Sequence, residues 1–404
     1  MTFAPIPKWH NIALALVKAP LDESILSSNW ASKNEKSYWV SRSSWSLYLI
    51  IKFRFIINSN NQVNVWLPDY FCNESTVQIR SLDINLSFYP ILSNGKPDLS
   101  VCKRMLDNNQ PDIILYVNYF GEPLFSKGLG EIAKENKAWL IEDSVHCLRP
   151  EKGIRSYGDF IIYSPHKLLS IPDGALLIIR SDGPSEIKQE LLDNFGFNAL
   201  YSSLVKINKP LNLMPLKWLS KRLIQKTGLH LLFNQKVINH NKIQRIKQSP
   251  HPKMSKFSQK LLSVMLDLEE ESNHRKDIKG FWTESLNNLA NIKDLDLHEK
   301  NFDYTPYLAK ISSSNDLYGK DIMTSLKNSK IPISTWPDLS PEVLQNPDIH
   351  KNAIQMSLSY VFFPVHSSIN TKNNAKHRPG KTSVTTGVKI DGKKDAVIFL
   401  LLLL

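Results

Sequence analysis

Cysteine is scarce in this chain: Cys72, Cys102 and Cys147 are the only three among 404 residues. An odd number at unrelated spacings excludes a disulfide framework and a zinc knuckle, so no metal site is expected and a reducing compartment, the cytoplasm, is. Long apolar runs are missing too. The longest, residues 396–404, has nine residues, whereas a membrane-spanning helix needs about 20. Residues 1–20 lack the sustained apolar core and the small-residue cleavage site of a secretory leader. No internal repeat is evident.

Acidic residues are absent from one long stretch. Residues 194–266 hold thirteen Lys and Arg and no Asp or Glu, and residues 371–404 hold seven basic against two acidic. With a net charge of +12 for the whole chain, the remainder sums to −6. The basicity therefore belongs to two segments, and no nucleic-acid-binding module accompanies it. Within the first, residues 211–233 mix apolar and basic side chains at near-helical spacing, interrupted by Pro215 and Gly228. Such a helix can lie weakly on an anionic membrane surface, form part of a subunit interface, or bind the phosphates of a nucleotide sugar. Residues 371–404, ending in five leucines, are expected to be a disordered tail.

The rest has an ordinary globular composition, 42% hydrophobic and 22% charged, in a length that suits two or three domains. Short β-like runs at 63–67, 85–89, 112–117, 138–141 and 159–163 alternate with helix-like stretches at 46–57, 73–80, 99–108 and 126–136. That alternation predicts an α/β fold: a mostly parallel sheet covered by helices on both faces, with ligands bound beyond the carboxyl ends of its strands. Another apolar run follows at 175–179. Residues 1–40 are poorly periodic. Helices at 255–271, 273–290 and 319–329, a strand at 307–312 and an apolar run at 354–363 predict a smaller α+β domain. The expected division is an N-terminal arm (1–25), a large domain (26–193), a basic helical link (194–266), a small C-terminal domain (267–370) and the tail.

The chemistry concentrates in residues 139–174. One apolar run closes on Glu142-Asp143; the next, Phe160 to Tyr163, closes on Ser164-Pro165-His166-Lys167, with Asp173-Gly174 just beyond. A carboxylate and a lysine at adjacent strand ends suit pyridoxal 5'-phosphate: the lysine amine attaches the cofactor and serves as general base, and the carboxylate keeps its ring nitrogen protonated. Lys167 and Asp143 take those roles. Ser164 could donate to the phosphate, and Ser43-Ser44, opening a buried helix, could offer backbone N–H groups to it. His146 could reach the 3'-oxygen. Each also has a plain structural reading: a solvated loop lysine, helix caps, a satisfied buried histidine.

In order and spacing the chain resembles the DegT/StrS-type sugar aminotransferases, within fold type I of the pyridoxal-phosphate enzymes. The matching residues are Ser43-Ser44-Trp45-Ser46-Leu47, the turn from Leu67-Pro68 to Cys72, Asn118-Tyr119-Phe120-Gly121, Glu142-Asp143-Ser144-Val145-His146, Gly158-Asp159, Ser164, Lys167, Asp173-Gly174, His274-Arg275-Lys276 and Phe363-Pro364-Val365-His366. Two residues separate Ser164 from Lys167 where many members have four, Ser43 replaces a glycine, and Ala175 replaces another. The aromatic that would stack on the cofactor ring is Tyr70 or Phe71, or is replaced by Cys72. The resemblance implies transfer of an amino group, from glutamate or glutamine, to a keto sugar carried on a nucleotide, by a homodimer working in glycan biosynthesis. Dehydration, transamination of a non-sugar, and a non-catalytic sugar-nucleotide binder are the alternatives. Relatives that act as dehydratases carry histidine at the lysine position, which Lys167 here speaks against.

Overall fold

The computed structural model describes residues 4–59, 62–185, 189–206, 213–226, 251–287, 304–312, 333–336 and 338–369. Seven strands form one sheet: β1 (Lys36–Val40), β2 (Val63–Pro68), β3 (Ile84–Tyr89), β4 (Ile113–Val117), β5 (Trp139–Ser144), β6 (Phe160–Tyr163) and β7 (Ala175–Ile179), in the order β1-β7-β6-β5-β4-β2-β3. Strands β3, β2, β4, β5 and β6 run parallel, and β7 is antiparallel to both of its neighbours. Two further strands, β8 (Leu308–Ile311) and β9 (Val361–Pro364), pair antiparallel in a separate sheet.

Burial on both faces explains why the sheet strands read as continuous apolar runs. Every residue of β4, β6 and β7 is buried. Side chains alternate across the sheet: Phe160, Ile162, Leu177 and Ile179 enter one core with helix Ser43–Ile57, while Ile161, Tyr163, Leu176 and Ile178 enter another with Trp30, Trp39 and Leu261. A third cluster packs β8 and β9 against Ile278 and Trp282 of helix Leu268–Asn287.

Several expectations need correction. The poorly periodic start contains order: helix Trp9–Val17 packs against helix Lys256–Leu262, and β1 closes the sheet edge. Residues 73–80 make two short 3₁₀ turns rather than one helix, since Asn73 and Thr76 bond locally to each other. The run 354–363 divides into helix Lys351–Ser359 and strand β9. Residues 255–271 likewise divide, between helix Lys256–Leu262 and the start of helix Leu268–Asn287. Pro215 does not interrupt the basic helix Met214–Lys226 but sits in its first turn, where its missing N–H costs nothing. The helix expected at 319–329, Gly228 with the rest of 227–233, and the tail lie outside the described residues. No described helix is long and apolar enough to cross a membrane.

Candidate active site

The parallel register places the acidic pair. Val117 pairs with Asp143, and Asp143 with Ile162, so the carboxylates lie within β5 near its carboxyl end rather than after it. Adjacent residues of a strand face opposite ways, and the two acids accordingly have different surroundings. Glu142, fully buried, accepts from Asn118 Nδ2 (3.0 Å), Ser144 Oγ (3.3 Å) and the backbone N–H groups of Arg155 (2.5 Å), Tyr157 (3.3 Å) and Gly158 (3.4 Å). It anchors the loop before β6. A Cβ at Gly158 would sit 2.8 Å from Glu142 Cβ, which is why the family-like Gly158-Asp159 pair begins with glycine.

Asp143 is also buried, but its carboxylate accepts only from Val145 N (3.1 Å) among the described residues. Burial pushes its carboxyl up to about 6, against the pull of the Lys167 ammonium. Lys167 lies in the four-residue helix Pro165–Leu168, straight after β6, with proline at its start. Burial holds its amine below the ordinary lysine value, opposed by Asp143. Both members of the pair are thus biased towards their neutral forms, as a proton-transfer pair requires.

His146 completes the cluster. Its Nε2 lies 3.4 Å from Lys167 Nζ, and its Nδ1 accepts from Phe120 N at 3.3 Å. The ring is sandwiched between Tyr307 (centroids 4.5 Å apart, 7° between planes) and Phe120 (6.0 Å, 11°). Burial, then the Lys167 charge, hold it well below the ordinary imidazole value, so it is neutral. Phe120 reaches this place through a positive φ of 59°, followed by Gly121 at 94°.

Ser164 and the helix start meet beside the lysine. Ser164 Oγ bonds His166 Nδ1 (2.9 Å), which also contacts the Gly174 carbonyl (3.0 Å), while Gly174 N donates to Ser41 O (3.0 Å). Val40 pairs with Ala175, so the chain leaves β1 and enters helix Ser43–Ile57 at this point. Ser43 and Ser44 are the first helical residues rather than a loop ahead of a helix, and their backbone N–H groups head it. Arg42 precedes them, within electrostatic reach of both His166 and Lys167. Asp173 accepts from Ser255 Oγ (2.8 Å) and so fastens helix Lys256–Leu262 to the same turn.

All six residues singled out from the sequence therefore lie around one place: Lys167 next to His146 and within electrostatic reach of Asp143; and Ser164, Ser43 and Ser44 next to them through Gly174 and Ser41. Arg42 and Tyr307 were missed, and Phe120 was named only within the run 118–121, with no role of its own. A basic residue at a strand-to-helix junction was the available signal for Arg42; nothing local marked Tyr307. Of the candidate stacking residues, Tyr70 is committed elsewhere, its ring 4.1 Å from Trp336. Cys72 lies within electrostatic reach of Lys167, its thiol raised by burial. A small cavity reaches Lys167 and is also lined by Ala4, Pro5, Arg275, Tyr307 and His366. Next to Ala4 and Pro5, Ile6 N donates to Ser368 Oγ (2.8 Å) and Ser368 Oγ to Ile6 O (3.0 Å), which ties this segment down.

No family model and no curated protein matches the sequence. Solved structures do match in fold. The Helicobacter pylori aminotransferase PseC, involved in pseudoaminic acid biosynthesis, superposes with a TM-score of 0.64 at 12% identity, covering 100% of this chain and 98% of its own. Escherichia coli GDP-4-keto-6-deoxy-D-mannose-3-dehydratase with bound hydrated pyridoxal phosphate gives 0.61 at 13% identity, covering 93% and 97%. A DegT/DnrJ/EryC1/StrS aminotransferase from Brucella abortus gives 0.60 at 13%, covering 91% and 92%. In fold, the chain belongs with the DegT/DnrJ/EryC1/StrS-type aminotransferases and the dehydratase that shares their architecture.

Proposed function

We propose that the chain is a pyridoxal-5'-phosphate-dependent aminotransferase that places an amino group on a keto sugar, nucleotide-linked, with glutamate as donor, and that it works as a homodimer in the cytoplasm. The observation that carries this reading is the pairing of Lys167 with a buried, under-bonded Asp143 at the carboxyl ends of adjacent parallel strands.

The residues present fit the cofactor. Asp143 is an acid with spare acceptor capacity in a buried site, and a protonated ring nitrogen is the donor it lacks. Lys167 offers an amine held towards its neutral, nucleophilic form. Arg42 with the N–H groups heading helix Ser43–Ile57, and Ser164 Oγ, supply the positive end expected of a phosphate cradle. When bound, pyridoxal phosphate supplies an electron sink for charge developing at a substrate carbon. Asp143 holds its proton partner in place, Lys167 Nζ takes and returns a proton, and the neutral His146, whose Nδ1 accepts from Phe120 N, carries its proton on Nε2 and can donate it to the unprotonated amine. The Phe120–His146–Tyr307 stack keeps the imidazole from swinging away and keeps water from that side.

A dehydratase among the fold neighbours keeps elimination as the second reading. Against it, His166 beside the lysine is engaged by Ser164 and the Gly174 carbonyl, leaving Lys167 as the amine that faces Asp143. The purified protein should be yellow, and borohydride should fix the cofactor to Lys167. Glutamate should discharge the colour. Protein that stays colourless with added cofactor supports the non-catalytic alternative, and colour insensitive to glutamate supports elimination.

The basic helix Met214–Lys226 is read as a weak membrane-surface contact. Trp218 packs inward, with Arg222 over its ring, while Leu216, Leu223 and Ile224 remain exposed beside Lys217 and Lys221.

A further inference from the structure

Arg275 is the most completely engaged cation among the described residues. It is 1% exposed, at the centre of the basic run His274-Arg275-Lys276 on helix Leu268–Asn287. Nε donates to Glu271 Oε1 at 2.8 Å, one helical turn back. Nη1 donates to the carbonyls of Val365 (2.6 Å), Tyr307 (3.3 Å) and Pro306 (3.4 Å). Nη2 donates to the Leu168 carbonyl at 2.5 Å.

Two of these acceptors are tied to the lysine. Leu168 is the residue after Lys167 and the last of its short helix, whose terminal carbonyls have no partner within it. Tyr307 stacks on His146, the ring whose Nε2 faces Lys167 Nζ. A single planar fork therefore fixes the backbone that carries the amine and the aromatic that holds the amine's neighbour. An ammonium could not copy this, because its three donors radiate from one atom whereas the guanidinium offers five in a plane. Glu271 supplies the compensating charge, so the fork is held in one orientation at little electrostatic cost.

We propose that Arg275 is a positioning residue for Lys167, locking the Lys167–His146 geometry from the far side of the Pro165–Leu168 helix. The proposal rests on Lys167 as the site of cofactor attachment. It goes beyond that reading by making the precision of attachment depend on a residue that lines the back of the cavity, 108 positions away in sequence.

The test uses the full chain as wild type, Arg275→Lys and Arg275→Ala, each stripped of cofactor. Circular dichroism and thermal unfolding report the fold. Pyridoxal 5'-phosphate is then added across a pH series, the adduct is trapped with borohydride, and peptide mass mapping reads the fraction at Lys167. The half-reaction with glutamate is measured separately in single turnovers, its maximal rate and half-saturating glutamate standing for kcat and KM. Expected results are a folded Arg275→Lys whose Lys167 trapping midpoint moves to higher pH, because a loosened amine is better solvated, and whose kcat falls about tenfold to a hundredfold. KM for glutamate should change far less, and Arg275→Ala should trap less than Arg275→Lys at every pH. A folded Arg275→Lys or Arg275→Ala with the wild-type trapping profile and kcat overturns the proposal. So does loss of the fold in both variants, which assigns Arg275 to stability alone. Failure of wild-type protein to trap at Lys167 instead removes the functional reading on which the proposal rests, and is distinguishable because it needs no variant.

Discussion

The two faces of strand β5 treat neighbouring carboxylates in opposite ways. On one face Glu142 is surrounded by donors from Asn118, Ser144 and three amides of the loop 155–158. On the other, Asp143 has one backbone donor and the lysine. A buried acid whose acceptor sites are filled holds structure together; one left short of donors in the same strand keeps capacity for a ligand. The sequence motif writes the two side by side, yet only one belongs to the chemistry.

The comparison can be broken at its strongest point first. Lys167→Ala should abolish covalent attachment and lower the half-reaction with glutamate by about a thousandfold or more, read by absorbance and single-turnover kinetics. Retained turnover would sink the assignment. Asp143→Asn should fold and bind cofactor but lose turnover by roughly tenfold to a hundredfold, the worth of a charged hydrogen bond of about 1.5–3 kcal/mol.

Glu142→Gln should do the reverse. It should cost about 2 kcal/mol of stability by weakening charge-assisted bonds to the loop, seen in urea unfolding, with little change in kcat of the folded fraction. A variant of Glu142 that kept stability and lost kcat would erase the distinction between the faces.

Asp143 also carries a pH dependence. Folding raises the Asp143 carboxyl from its ordinary value near 4 to about 6, so the folded state binds that proton more tightly than the unfolded chain. Its contribution is full below about pH 4 and is lost as pH rises through about 6. Cofactor-free Asp143→Asn should therefore gain on the parent across that window, by an amount on the order of 3 kcal/mol, and hold the gain above it. A difference independent of pH would refute the assignment of Asp143 as a buried acid held at a cost.

The smallest effect is expected at the opposite extreme of burial, helix Met214–Lys226. Vesicles rich in anionic lipid should sediment a fraction of the protein in low salt, and salt or Leu216→Glu should release it. No sedimentation in low salt would end that reading.

Much of this was legible in the sequence because a sheet covered on both faces turns each strand into an apolar run with polar ends. The runs at 63–67, 112–117 and 159–163 fall within a residue or two of β2, β4 and β6. Lys167, Asp143 and His146 could be grouped because parallel strands bring their carboxyl ends together. Strand β1 was not legible: Lys36-Ser37-Tyr38 at its start is mixed in character because β1 is an edge strand, paired on one side by β7. The run 354–363 concealed a helix and a strand, since a short apolar stretch carries no period to separate them. Tyr307, and the contacts of Arg275 beyond its place in the run 274–276, were illegible for a different reason. Their roles depend on β8 and helix Leu268–Asn287 meeting residues from the other end of the chain, which no local pattern records.

The ring of amides around Glu142 has a consequence for motion. Arg155, Tyr157 and Gly158 belong to a loop that holds Arg155 at a left-handed φ of 64°, with Tyr157 41% exposed. Loop amides ordinarily exchange with solvent through small openings. These three point at a carboxylate rooted in the centre of the sheet, so releasing them strands a charge inside the protein. Their exchange is then expected to follow the opening of β5 itself, making a surface loop as slow as the core it covers.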